Sequence, residues 1–205
     1  ILAKIAHENT KMGFLRKIAK EINRDHALGL ELWSTKLYLP RLLTTLIMEP
    51  KLLTKELIDQ QIEDIQTFDT DERLQLIDWY MANQLTKDKS TIALMASWEN
   101  SKSTLQRRVF WYYQARLRWM GKTDQTNTEA LLTAIEARMI GEHPDVQWAM
   151  NFTAGQIGKF QEVYRDRCIA IGENTGLYKD EKVMKGCVPS YLPKFIPIEV
   201  EKLKK

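Results

Sequence analysis

The chain has 205 residues, 44% of them hydrophobic and 28% charged, which suits one globular domain with a full core or a short repeat array. Its apolar runs all fall short of the ~18 residues of a membrane span, and two cysteines cannot build a disulfide framework. The net charge of +3 is modest, but Gly176–Lys205 alone carries seven lysines against four acidic residues, so the rest of the chain is neutral.

Taken in order, the segments have helical period and helical composition, with few glycines and prolines and no alternating β-branched runs. Helices are predicted over 2–8, 13–23, 26–34, 39–48, 55–65, 71–85, 89–97, 104–119, 128–140, 145–157 and 160–173. The chain begins at Ile1 without a methionine, which points to residues upstream; its start does not read as a signal peptide, because Lys4 and His7 break the apolar run. Pro40 suits a first helical turn, and Pro144 opens the helix that contains VQWAM. Thr54 precedes KELIDQQI, and Ser103 is followed by Gln106 in the capping-box position. After Gly176 the pattern changes. GCVPSYLPKFIP holds three prolines and reads as an extended, packed-down basic tail. The organisation expected is one all-α domain over 1–175 and a tail over 176–205, packed on it or trailing from it.

Four helix starts match one another: LPRLL at Leu39, LQLID at Leu74, LQRRV at Leu105 and VQWAM at Val146, spaced by 35, 31 and 41 residues. Such periods belong to helical repeats, whose helix pairs bury their apolar faces only by stacking. The expected fold is therefore a HEAT-like α-solenoid of stacked antiparallel helix pairs, with a compact helical bundle as the alternative. The fifth position of the motif holds Leu43, Val109 and Met150, but in the second copy it holds Asp78. On a helix turning 100° per residue, Asp78 falls inside the arc of Leu74, Ile77, Met81 and Leu85. An unpartnered buried carboxylate is costly, so Asp78 is either a satisfied structural group or lies at the lip of a cleft. A local break in a repeat's own pattern favours the second.

The helix STLQRRVFWYYQARLRWM is the other informative segment. Arg107, Gln114 and Arg118 share one face, with Trp111 a turn from Arg107. An arginine stripe beside an aromatic suits a phosphate backbone and a stacked base or sugar, whereas core aromatics with solvated arginines are the plainer alternative. Arg108 and Arg116 point more toward the apolar side, and Arg108 is a candidate partner for Asp78. The basic tail suits a polyanion, or simply a soluble terminus. Three isolated histidines, two cysteines without metal spacing, and the lack of a P-loop, a G-x-S-x-G elbow or a dinucleotide fingerprint leave no metal and no cofactor expected.

The stretches ELWSTKLYLPRLL, DERLQLIDWYMANQL, ASWENSKSTLQRRVFWYYQ and DVQWAMNFTAGQIG…YRDRCIAIGENTGLY, in this order, resemble the AlkD-like bacterial DNA alkylation repair proteins from about Phe14 onward. The last block, with KGCVPSYLPKFI, is similar to the ending of an uncharacterised branch of that family. The resemblance implies a HEAT-like solenoid that removes N3- and N7-alkylated purines from double-stranded DNA. It implies Asp78 as the catalytic carboxylate and, through the shared L-Q-R, Arg107 as a phosphate contact. Two lesion-site tryptophans of active members are replaced here, by Leu74 and by Phe152. The expectations are accordingly a DNA glycosylase with Asp78 catalytic and Arg107, Trp111 and Arg118 on DNA, cytoplasmic, monomeric and without a membrane partner. A non-catalytic DNA-binding repeat protein that recognises distorted DNA, or a protein-binding scaffold, is the alternative.

Overall fold

The computed structural model describes residues 1–5, 11–121 and 125–204, and among these there is no strand. The helices are α1 Leu2–Ile5, α2 Met12–Ile22, α3 His26–Ser34, α4 Tyr38–Ile47, α5 Lys55–Ile65, α6 Thr70–Tyr80, α7 Lys89–Ala96, α8 Thr104–Trp119, α9 Thr128–Arg138, α10 Pro144–Phe160, α11 Arg165–Thr175 and α12 Leu192–Leu203. The first predicted helix reaches past Ile5 into residues outside those described. Among the described residues no helix is long and apolar enough to cross a membrane. The chain divides into two compact units, Ile1–Ser101 and Lys102–Lys205, so the residues read as a separate tail from 176 belong to the second unit.

In the first unit side-chain caps fix the starts of α3, α5, α6 and α7. Asp25 accepts from the Leu28 N–H at 2.9 Å, Thr54 from Leu57 at 3.2 Å, Asp69 from Glu72 at 3.0 Å and Asp88 from Ser90 at 2.8 Å. Each satisfies one of the N–H groups that a helix leaves unbonded in its first turn. The core gathers on α4, whose Leu42, Leu43 and Ile47 are fully buried and which packs on α2, α3 and α6. One polar network crosses it. The buried Arg41 donates to the Trp33 carbonyl and to the Asp64 carboxylate, both at 3.1 Å, while the Trp33 indole donates to that carboxylate at 2.8 Å. Past Tyr80 the predicted helix 71–85 widens into a π-turn over Met81–Leu85, closed by Thr86 N–H to the Met81 carbonyl at 3.1 Å. The buried Gln84 explains the widening. Its amide donates to the carbonyls of Thr45 and Met48 at 2.8 and 3.1 Å, the unbonded end of α4.

In the second unit α8 and α10 form the principal pair, with Leu105, Val109 and Ala115 fully buried, as are Val146, Ala149, Met150 and Ala154. Thr153 Oγ1 donates across the pair to the Trp111 carbonyl at 2.7 Å. Ser103 caps α8 through the Gln106 N–H at 3.4 Å, and Pro144 opens α10, as the sequence implies. Arg167 of α11 holds α9 through Glu129 and Glu136 at 2.5 and 2.8 Å.

The extended reading of the tail is corrected over its second half, where α12 packs on α10 and α11. Pro193 falls in the first turn, where no N–H is needed, and Leu192 and Ile196 bury one face. Glycines make the approach close enough. A Cβ at Gly172 would stand 2.5 Å from Pro193 Cδ and 2.7 Å from Leu192 Cβ, and one at Gly158 would stand 2.6 Å from Ile196 Cδ1.

Candidate functional site

The four matched helix starts can be compared directly. Their fourth position lies inside in every copy: Leu42, Ile77, Arg108 and Ala149 are buried. At the fifth position Leu43, Val109 and Met150 have no exposed surface, whereas Asp78 is half-buried. The repeat frame thus directs this position inward, and Asp78 is where the frame opens to solvent. Leu74, one turn earlier on α6, is half-buried as well. The neighbours Leu76 and Ile77 are sealed, and half-buried Trp79 carries the Arg16 guanidinium over its ring at 4.9 Å. The Asp78 carbonyl accepts from Met81 N–H at the start of the π-turn. Such turns are frequent where a helix must re-aim its side chains.

On α8 the structure divides the sequence-predicted residues. Arg107 is half-buried; its Nε meets Glu142 at 3.2 Å and its Nη1 donates to the Lys102 carbonyl at 3.2 Å. The rest of the predicted stripe lies inside, which corrects the reading of Trp111 and Arg118 as nucleic-acid contacts. Trp111 is 1% exposed, edge-on to Phe110 at 5.1 Å. Arg118 is 3% exposed, and its guanidinium donates to Gln161 Oε1 at 3.2 Å, the Gln114 carbonyl at 3.0 Å, Asn127 Oδ1 at 3.1 Å and Thr128 Oγ1 at 3.0 Å. Burial lowers its pKa to about 10. Helical period correctly puts 107, 114 and 118 on one face; that face turns inward at its C-terminal end, against a polar network on α9 and α10.

The aromatic–arginine surface exists one residue over. Phe152 of α10 stacks on Trp148 at 5.2 Å with 9° between the rings, and Tyr112 and Trp119 of α8 meet Phe152 edge-on at 5.7 and 6.0 Å. Phe195 of α12 closes the far side at 6.3 Å. The buried Arg108 donates to the Asp145 carbonyl at 2.9 Å, and its guanidinium lies over the Trp148 ring at 4.9 Å. Trp148, Tyr112 and Phe152 are half-buried and Trp119 is exposed, so ring surface remains accessible. The sequence signal for it was the four-residue spacing of Arg108 with Tyr112 and of Trp148 with Phe152, which places each pair on one helix face. Phe152, which stands where the resemblance implies a tryptophan, is the centre of a five-ring cluster. Stacked rings with an adjoining guanidinium offer π-faces to a base, and attract it more strongly when it carries a positive charge.

Residues 9–171 match the family model described as DNA alkylation repair enzyme. A solved structure described as "a new family of proteins related to the HEAT-like repeat DNA glycosylases with affinity for branched DNA structures" is similar over 99% of this chain and 85% of that one, at 18% identity and a TM-score of 0.71. That likeness shows the fold, all-α and of the HEAT-like repeat kind. No curated protein matches the sequence.

Proposed function

The chain belongs to the DNA alkylation repair enzyme family, and we propose that it is a DNA glycosylase that hydrolyses the N-glycosidic bond of N3- or N7-alkylated purines, with Asp78 as its catalytic carboxylate. One observation carries the reading: of four equivalent helix positions, three are sealed aliphatics and the fourth is a half-buried aspartate.

The chemistry asks little more of the protein. An N3- or N7-alkylated purine already carries a positive charge and departs with the bonding electron pair when C1′–N breaks. Positive charge then develops on the deoxyribose. A fixed carboxylate at Asp78 stabilises that charge and orients the water whose oxygen bonds to C1′, its proton passing to solvent. In the second unit Arg107 exchanges Glu142 for a phosphate of the backbone, a charge-assisted contact that positions the strand without reading sequence.

The test is release of 7-methylguanine from alkylated duplex DNA by the parent chain and by Asp78→Asn, which removes charge while nearly keeping shape. Loss of one preorganised electrostatic group of this kind costs about 10²–10³ in rate. Undiminished release by the variant rejects the role.

A second reading has its own support. Leu74 stands where the family resemblance implies a tryptophan, and the similar solved structure is described by its affinity for branched DNA. On this reading the chain binds distorted DNA without base release, with affinity falling steeply as salt rises. Release of 7-methylguanine faster than from the same DNA without protein excludes it.

A further inference from the structure

The second unit contains a cleft, walled in part by Phe152, that the hydrolytic step at Asp78 does not use. It has a volume of about 160 Å³ and lies between α10 and the start of α12. Trp148, Phe152 and Phe195 supply its aromatic walls. Gly155 lets the Phe195 wall approach α10, since a Cβ there would come within 2.8 Å of the Phe195 ring. One wall is polar. Asn151, 3% exposed, lines the cleft, and its Nδ2 is fixed by donating to the Ser190 carbonyl at 2.8 Å. That bond settles which way the amide faces. Its Oδ1 is left buried with no hydrogen-bond partner. A sealed acceptor without a donor is rare in folded proteins and costly to keep.

The shape and the orphan oxygen together define a ligand. A cavity of roughly 150 Å³ holds one six-membered aromatic ring, so the cleft has room for one such ring. Aromatic walls select a flat π-system. The acceptor requires that the ring present an N–H or O–H donor, and it rejects a ring that presents only a carbonyl. We propose that this cleft is a binding site for the single ring of a pyrimidine nucleobase, thymine or cytosine, whose N–H donates to Asn151 Oδ1. As a site for a base on DNA, the inference rests on the reading of this chain as a DNA-binding protein. As a site for a free nucleoside, it does not. Entry displaces Val188, which has no regular secondary structure and lines the cleft. A base in the cleft is out of the stack, so a site of this kind favours strands whose bases are already unpaired.

The experiment uses the full chain, isotopically labelled, with two probes: thymidine and a twelve-residue oligothymidylate. The resonances read are the Asn151 side-chain amide and the Trp148 indole. The expected result is saturable perturbation of both, with affinity reduced at least tenfold in Asn151→Leu and in Val188→Trp. The second variant fills the cleft from a half-exposed position and leaves Asn151 in place, so a folding defect in the first does not decide the outcome. Saturation by thymidine alone identifies a free-nucleoside site; saturation by the oligonucleotide only identifies a base held on a strand. Duplex DNA binding by the same samples separates the two readings. Duplex binding with a silent cleft for both probes overturns the pocket proposal and leaves the DNA reading standing. Absence of binding to any DNA overturns the DNA reading, and the thymidine titration then decides the cleft by itself. Unchanged affinity in Val188→Trp also overturns the proposal.

Discussion

Arg118 is where a binding role and a structural role give opposite results. Its guanidinium is 3% exposed and makes four hydrogen bonds, to Gln161, Gln114, Asn127 and Thr128. Arg118→Met keeps most of the apolar stem and removes those donors. Four bonds at about 1 kcal/mol each oppose the cost of burying a cation, a cost seen in the pKa lowered to about 10. Those two effects nearly cancel, so the acceptors left behind decide the sign. Asn127 Oδ1 loses its charged donor, at about 1–3 kcal/mol, while Gln161 Oε1 keeps the Thr128 hydroxyl as donor at 3.1 Å. The expected net destabilisation is about 1–3 kcal/mol, read as a lower urea midpoint at unchanged slope. Arg118→Lys sharpens the comparison. An ammonium keeps the charge but cannot span four acceptors in a planar fork, so it is expected to destabilise almost as much. The dependence of DNA affinity on salt should stay the same in both variants. The reasoning is refuted if Arg118→Met is as stable as the parent within about 0.5 kcal/mol, or if either variant lowers the salt slope by about one, the signature of a lost phosphate contact.

Three further outcomes are expected. Leu74→Trp restores an aromatic face one turn from Asp78, and a cation–π contribution of about 0.5–2 kcal/mol raises the rate of alkylpurine release roughly 2- to 30-fold; no change or a fall would show that the position does not face the cationic base. Gly172→Ala drives a Cβ into Pro193 and Leu192, neither of which can rotate away, so α12 loosens; the expected cost is about 1–3 kcal/mol, with new proteolytic cleavage between residues 176 and 191. Burial raises the pKa of the Cys168 thiol from 9.0 to about 12. The folded chain then keeps a proton that the unfolded chain releases, so between about pH 9 and 12 stability falls as pH rises, by up to about 1.4 kcal/mol per pH unit. Cys168→Ala is expected to show a shallower alkaline slope in urea titrations, and an equal slope would count against this assignment.

The helices were legible because period and caps are local properties. Thr54 and Ser103 signal their helix starts, and each binds the N–H three residues on. The π-turn after Tyr80 was not legible, because it answers to carbonyls of Thr45 and Met48 some forty residues away. Helix α12 was hidden by its prolines, which read as breakers until the first-turn place of Pro193 and the glycines opposite it are known. The candidate site divides the same way. Asp78 stood out because the other three copies define what its position should hold, so a comparison within one sequence supplied the missing context. For α8 no such comparison fixed the inward face. Leu105, Val109, Phe110, Trp111 and Ala115 are apolar around a wide arc, so the helix has no clear polar side, and Arg118 and Arg108 are both buried by neighbours far along the chain. A 100° period says which residues stand together, but which group stands outside is settled only by what packs against them. The aromatic surface therefore lies at Tyr112, Trp119, Trp148 and Phe152, about one residue's rotation from the stripe that composition suggested.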